Sequence, residues 1–177
     1  MSRYTVGMRK LAAVFLALSV PAALVADSAA GIQWIAPAHW KAQPPRPMRA
    51  ATYAVDEAEC AVYYFGRGQG GGVQQNLDRW VGQFDQPGGK PSKDVAQVRT
   101  ETVSGLKVTS VDVSGTYTGA GGPMAQARSS KPGYRLLGAI VEAPQGSVFF
   151  KFTGPAKTIA AHRKEFEDTL KSLRRAP

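Results

Sequence analysis

Polar groups able to grip a ligand gather in one short stretch of this 177-residue chain. Asn76, Arg79 and Gln83 fall at i, i+3 and i+7, a spacing that places them along one side of a helix. All three donate hydrogen bonds, and Arg79 adds a planar charged fork suited to carboxylate or phosphate. Immediately upstream, residues 66–72 hold five glycines in seven positions, with Arg67 among them. Free backbone N–H groups at a helix start attract anions. The run nevertheless lacks the Gly-Lys-Ser/Thr ending of a phosphate loop and has no dinucleotide spacing, so it also reads as a flexible strand-to-helix joint. The polar stripe has a plain alternative too, as a solvated face or a set of ties to nearby loops. Trp40, between His39 and Lys41 after Pro37, is the tryptophan expected to be exposed and to offer a ring to a sugar or peptide; Trp34 and Trp80 sit at core-facing positions. Asn76, Arg79, Gln83, Arg67 and Trp40 are therefore the candidate binding residues.

Catalytic and metal chemistry has less to work with. His39 and His162 are the only histidines, and neither has a second ligand at HxH or HxxxH spacing, so no metal site is expected. No GxSxG elbow occurs. Glu57 and Glu59 lie near a turn, and Glu165, Glu167 and Asp168 lie along a helix, so no carboxylate pair is marked. A hydrolase would need the fold to join one histidine to a serine and an acid. No cofactor is implied. Cys60 is the single cysteine, within a strand-like run, and is expected to be a buried, inert thiol.

The elements that must position these groups follow from periodicity. Val73, Leu77, Trp80 and Phe84 make one apolar stripe, predicting a helix over 73–84 that ends at Pro87-Gly88-Gly89. A second helix is predicted from Pro155, at its first position, with Ile159, Phe166, Leu170 and Leu173 buried. Strands are predicted at 32–36, 49–55, 59–65, 95–103, 106–113, 134–143 and 147–153, with tight turns at 56–58, 104–105 and 144–146. Residues 43–47 carry three prolines and should be extended, and 115–133 read as a long Gly- and Ser-rich loop. Turn-linked neighbours favour antiparallel pairing. The expected fold is α+β: an antiparallel sheet of about six or seven strands between two helices.

The chain's start reads as an export signal over residues 1–30. Arg3, Arg9 and Lys10 precede an uncharged apolar run from Leu11, and Ser28-Ala29-Ala30 offers small residues for a cut before Gly31. The run is shorter than the ~20 residues of a spanning helix, with Pro21 inside it; an uncleaved anchor is the alternative. No cysteine near the cut permits a lipid anchor, and no later stretch is apolar enough to span. Residues 31–177 then form one domain. Removing Arg3, Arg9, Lys10 and Asp27 leaves 19 basic against 12 acidic residues, a net +7. Such charge favours anionic surfaces or simply solubility.

Two resemblances carry further expectations. Ile32-Gln33-Trp34-Ile35-Ala36-Pro37 followed by Trp40-Lys41 resembles the opening strand and turn of PsbP-like proteins, and Phe149-Phe150-Lys151-Phe152-Thr153-Gly154-Pro155 is similar to their closing strand-to-helix join. Tyr64-Phe65-Gly66, Gln69-Gly70-Gly71 and the stretch from Asn76 to Phe84 resemble a family of exported bacterial proteins without an assigned role. The likeness implies a PsbP-like sheet between helices and a binding or assembly module rather than an enzyme. The expected partner is an envelope protein or an anionic polymer, met in the periplasm or outside the cell; nucleic acid is not expected. An envelope hydrolase and a purely electrostatic polymer binder are the alternatives.

Overall fold

A strand that carries apolar side chains on both of its faces must be covered twice, and one strand of this chain is of that kind. Phe149 and Phe150 are adjacent and both fully buried, so they enter two different cores. A computed structural model describes residues 26–119 and 130–177. The charged and apolar parts of the predicted leader lie outside these residues, as does the stretch 120–129 of the Gly-rich loop.

In chain order the elements are β1 (Ala26–Ala29), β2 (Ile32–Ile35), β3 (Lys41–Ala42), β4 (Arg49–Val55), β5 (Ala58–Tyr64), α1 (Val73–Val81) and β6 (Phe84–Asp85). Then come β7 (Gln97–Val103), β8 (Leu106–Tyr117), β9 (Lys131–Ala143), β10 (Gly146–Pro155), α2 (Ala156–Ala161), α3 (Arg163–Lys171) and β11 (Arg174–Arg175). The main sheet has eight strands, ordered β3-β4-β5-β10-β9-β8-β6 with β7 also paired to β8. Every pairing is antiparallel. A separate three-stranded sheet runs β1-β2-β11.

β10 sits between β5 and β9, with Phe149 opposite Tyr63 and Ile140, and Phe150 opposite Val62 and Ala139. On one face Phe150, Phe152, Val62, Leu137 and Val108 meet Ile159 of α2, Phe166 and Leu170 of α3, Leu173, and the small sheet's Ile32 and Trp34. On the other, Phe149, Leu136, Ile140, Val111 and Val113 meet Leu77, Trp80 and Val81 of α1, with Phe84. The α+β sandwich expected from the sequence is thus the fold; the two-residue strands β3 and β6 bring the main sheet to eight.

Several boundaries differ, each for a local reason. α1 stops at Val81 because Gly82 caps it and Gln83 N–H turns back to the Trp80 carbonyl at 3.2 Å. Phe84 then reaches the core as a strand residue. The C-terminal helix is two helices, broken at His162, whose φ of −101° and ψ of 9° leave the helical range. Pro155 is the last strand residue and caps α2 rather than opening it. β7 begins at Gln97, after a 3₁₀ turn at Ser92–Asp94. β8 and β9 extend into both ends of the predicted loop.

β1 has a bearing on the expected cut before Gly31. Residues Ala26–Ala29 pair with β2, Ala30 is buried, and Asp27 accepts a hydrogen bond from Tyr53, which in turn accepts one from Trp34 Nε1 at 2.9 Å. Burial and Asp27 both push the Tyr53 hydroxyl's pKa well up. A chain starting at Gly31 would leave these polar groups without that acceptor. It is expected to be about 1–3 kcal/mol less stable than one starting at Ala26, as read by urea denaturation of the two forms. A second outcome tests the α1 contact. A Cβ on Gly138 would stand 2.6 Å from the Trp80 ring and 3.0 Å from Val111. Gly138→Ala should therefore cost about 1–3 kcal/mol by the same measurement.

Candidate functional site

The expected stripe does not run along one helix: Asn76 and Arg79 lie on α1, whereas Gln83 falls beyond its end at Val81, and the three residues divide between structural ties and one presented cation. Asn76 is buried; its Nδ2 donates to the carbonyls of Gly70 (2.7 Å) and Gly72 (2.9 Å), and its Oδ1 accepts from Arg79 Nη2 at 2.5 Å. It fastens the glycine loop to the helix and aims Arg79. The loop's glycines answer to sterics: at Gly70, where φ is +90°, a Cβ would lie 2.8 Å from Phe65 and 2.9 Å from Phe149. Arg79, Phe65, Met48 and this loop line an open groove of about 470 Å³. Arg67 stands exposed on the loop and does not line the groove.

Gln83 is buried, and its Oε1 accepts from Lys151 Nζ at 2.6 Å. Lys151 lies in the middle of β10, opposite Ala61 on β5 and Gly138 on β9. Its remaining neighbour is Tyr117, whose hydroxyl is 3.4 Å from Nζ and whose ring centre is 5.5 Å away. Burial, then the charge of Arg79, then that of Arg49, pull the Lys151 pKa down to about 8, against a weaker upward pull from Glu59. Arg49 pairs with Glu59 at 2.7 Å and lies 5.2 Å over the Tyr63 ring; Arg46 reaches the same carboxylate at 3.3 Å. Tyr63 in turn stacks on Phe65. Arg46 and Arg49 thus share the carboxylate of Glu59, Arg79 lies near enough for Lys151 to feel its charge, and Lys151 itself is hydrogen-bonded only to neutral groups among the described residues. A partly desolvated cation cluster with aromatic rings beside it suits a carboxylate or phosphate group. Among the described residues it shows no nucleophile hydrogen-bonded to a base.

Trp40 is elsewhere. The expectation of an exposed ring is corrected: it is 5% exposed, on the α2–α3 face, against Tyr53 and Phe152. The turn closed by Trp40 N–H to the Pro37 carbonyl at 3.0 Å curls it inward, and its Nε1 donates to Glu165 Oε2 at 3.0 Å. Trp34 and Trp80 are buried, as is Cys60, whose thiol pKa is pushed up by burial.

The two histidines, distant in sequence, meet beside Trp40. Their ring centres are 5.9 Å apart. His39 Nε2 lies 3.2 Å and His162 Nδ1 2.7 Å from Glu165 Oε2, while His162 Nε2 lies 2.9 Å from Asp56 Oδ2. The histidine–acid half of a hydrolytic set is therefore present, but among the described residues no serine or threonine hydroxyl hydrogen-bonds to either ring. Sequence spacing between the histidines gave no sign of this meeting. The usable signal was His162-Arg163-Lys164-Glu165, an i, i+3 pair at a helix start.

No protein-family model matches the chain, and no curated protein matches it. Among solved structures it is similar to the solution structure of cyanobacterial PsbP (CyanoP) from Synechocystis sp. PCC 6803, at a TM-score of 0.51 and 8% identity, over 82% of this chain and 86% of that one. It also aligns with the crystal structure of PA94 from Pseudomonas aeruginosa, a protein of unknown function, at a TM-score of 0.43 and 10% identity, over 82% and 92% of the two chains. The first likeness shows a PsbP-like fold and no more. Among the described residues no helix is long and apolar enough to cross a membrane.

The state of Lys151 has a measurable consequence. With a folded pKa near 8 and an unfolded one near 10.4, the unfolded chain binds more protons between those values, so this group makes stability rise with pH across that window. Lys151→Met should raise the melting temperature at pH 7 and flatten that rise, as read by thermal melts from pH 7 to 10.

Proposed function

We propose that this chain is an exported, non-catalytic binding or assembly module whose Lys151 face holds an anionic group of an envelope polymer or of a partner protein. One observation carries the reading: Lys151, desolvated in the middle of β10 and close to the charges of Arg79 and Arg49, has no carboxylate within hydrogen-bonding distance among the described residues, while Arg46 and Arg49 share the carboxylate of Glu59. A buried charge held this way is costly in the free protein. An incoming carboxylate or phosphate offsets that cost, so stability given up in the empty protein is regained on binding. The roles follow from position. Lys151 and Arg79 bind the anion, Arg49 adds charge from the edge, Tyr63 and Tyr117 give ring faces, and Asn76 and Gln83 position the two central cations. The leader-like start supports export, and the excess of basic residues supports attraction to anionic polymer.

The test is equilibrium binding of inorganic phosphate and of a polycarboxylate to the protein, by calorimetry and by shift in melting temperature. Binding is expected to weaken with salt, and to weaken above pH 8 as Lys151 loses its proton. A Lys151→Met, Arg79→Ala double variant, folded by circular dichroism, should bind at least about tenfold more weakly. Equal binding by the variant would remove this face from the account.

A further inference from the structure

We propose that His39, His162 and Glu165 form a binding site for a divalent transition-metal ion of the zinc class, on the opposite side of the sheet from the Lys151 face. The chain has two histidines, and the fold brings both to one carboxylate. Their ligand atoms, with that of Glu165, all lie within 4.8 Å of one another. Ligands of a tetrahedral zinc ion, bound at about 2.0–2.1 Å, stand roughly 3.3 Å apart. His39 Nε2 is already 3.2 Å from Glu165 Oε2 and His162 Nδ1 is 2.7 Å from it, so binding asks the second contact to open by roughly 0.6 Å and the two ring nitrogens to settle about 3.3 Å apart. His39 is exposed and on a turn, which lets it supply its part of that movement.

The donor set fits the ion. Two imidazoles and one carboxylate suit zinc, nickel or copper, whereas calcium and magnesium prefer oxygen alone. The outer contacts fit as well. A metal-bound histidine usually gives its other ring N–H to a carboxylate, which fixes the tautomer and turns the free lone pair to the metal. His162 Nε2 has that partner in Asp56, 2.9 Å away at the tip of the β4–β5 hairpin. Trp40, buried, donates from Nε1 to Glu165 Oε2 at 3.0 Å and holds the carboxylate in place. The break between α2 and α3 at His162 puts this residue and Glu165 on one side of α3's first turn, facing the turn at Pro37–Trp40. Three protein ligands leave one position open to solvent. A bound ion would pin that turn to the α2–α3 break.

The same contacts without metal would be a histidine–carboxylate ion-pair cluster, and the experiment separates the two. Untagged protein is stripped with a chelator, then titrated with Zn²⁺ by calorimetry and with Co²⁺ by visible absorption. One ion per chain is expected, with a tetrahedral cobalt spectrum and a raised melting temperature on zinc addition. His39→Ala, at an exposed site that leaves the fold intact by circular dichroism, should weaken zinc binding at least about tenfold. Asp56→Asn, which touches no metal, should weaken it by about 10–100-fold. Absence of stoichiometric binding at micromolar zinc, or binding that survives His39→Ala unchanged, overturns the proposal.

Discussion

The structure depends on β10 being buried from both sides. Phe149 and Phe150 anchor two cores across one backbone, and neither core closes without that strand. A central strand covered twice tolerates polar groups only where something answers them. Lys151, next along the same strand, is the one charged residue placed there. Gln83 and Tyr117 receive its ammonium. Gly138 opposite it leaves room for Trp80, which sets the height of α1 over the sheet. Packing and the cation cluster are thus consequences of the same pairing.

The two faces of the sheet differ in kind. On the α1 face, charge is concentrated and poorly balanced: Arg46 and Arg49 share Glu59, while Arg79 and Lys151 are hydrogen-bonded only to neutral groups among the described residues. On the α2–α3 face, charge is balanced locally. Asp112 sits between Arg135 (2.6 Å) and Arg163 (2.7 Å), and although burial pushes its carboxyl up, the two guanidinium groups outweigh that and leave it below its ordinary value. His162 likewise stands between Glu165 and Asp56, which raise its pKa. Satisfied clusters hold elements together, whereas an unsatisfied one leaves free energy to be gained by a ligand.

The fold was largely legible because its signals are local. The alternation through 106–113 and 134–153 and the stripe from Val73 to Trp80 are set by neighbours in the chain, and the strands and α1 follow them. What escaped were features fixed by distant partners. β3, β6 and β11 are two residues each and exist only through their pairing. The break at His162 has no proline or glycine to mark it. The sites divide the same way. Arg79 was visible as a cation on a helix face, but the buried roles of Asn76 and Gln83 needed the glycine loop and β10 beside them. Lys151 interrupts an aromatic run, Phe149-Phe150-Lys151-Phe152, and that interruption was the available sign of a buried charge. Trp40 looked exposed because its turn is proline-rich, and only Glu165, far along the chain, explains why it turns in.

Lys151 is a partly desolvated cation, and the proposed function has it meet an anion. Its side-chain titration, followed by NMR on lysine-labelled protein with and without phosphate, addresses that directly. A midpoint near 8 in the free protein, moving upward when phosphate is added, is the expected result. A midpoint at the ordinary lysine value, unmoved by phosphate, would contradict it.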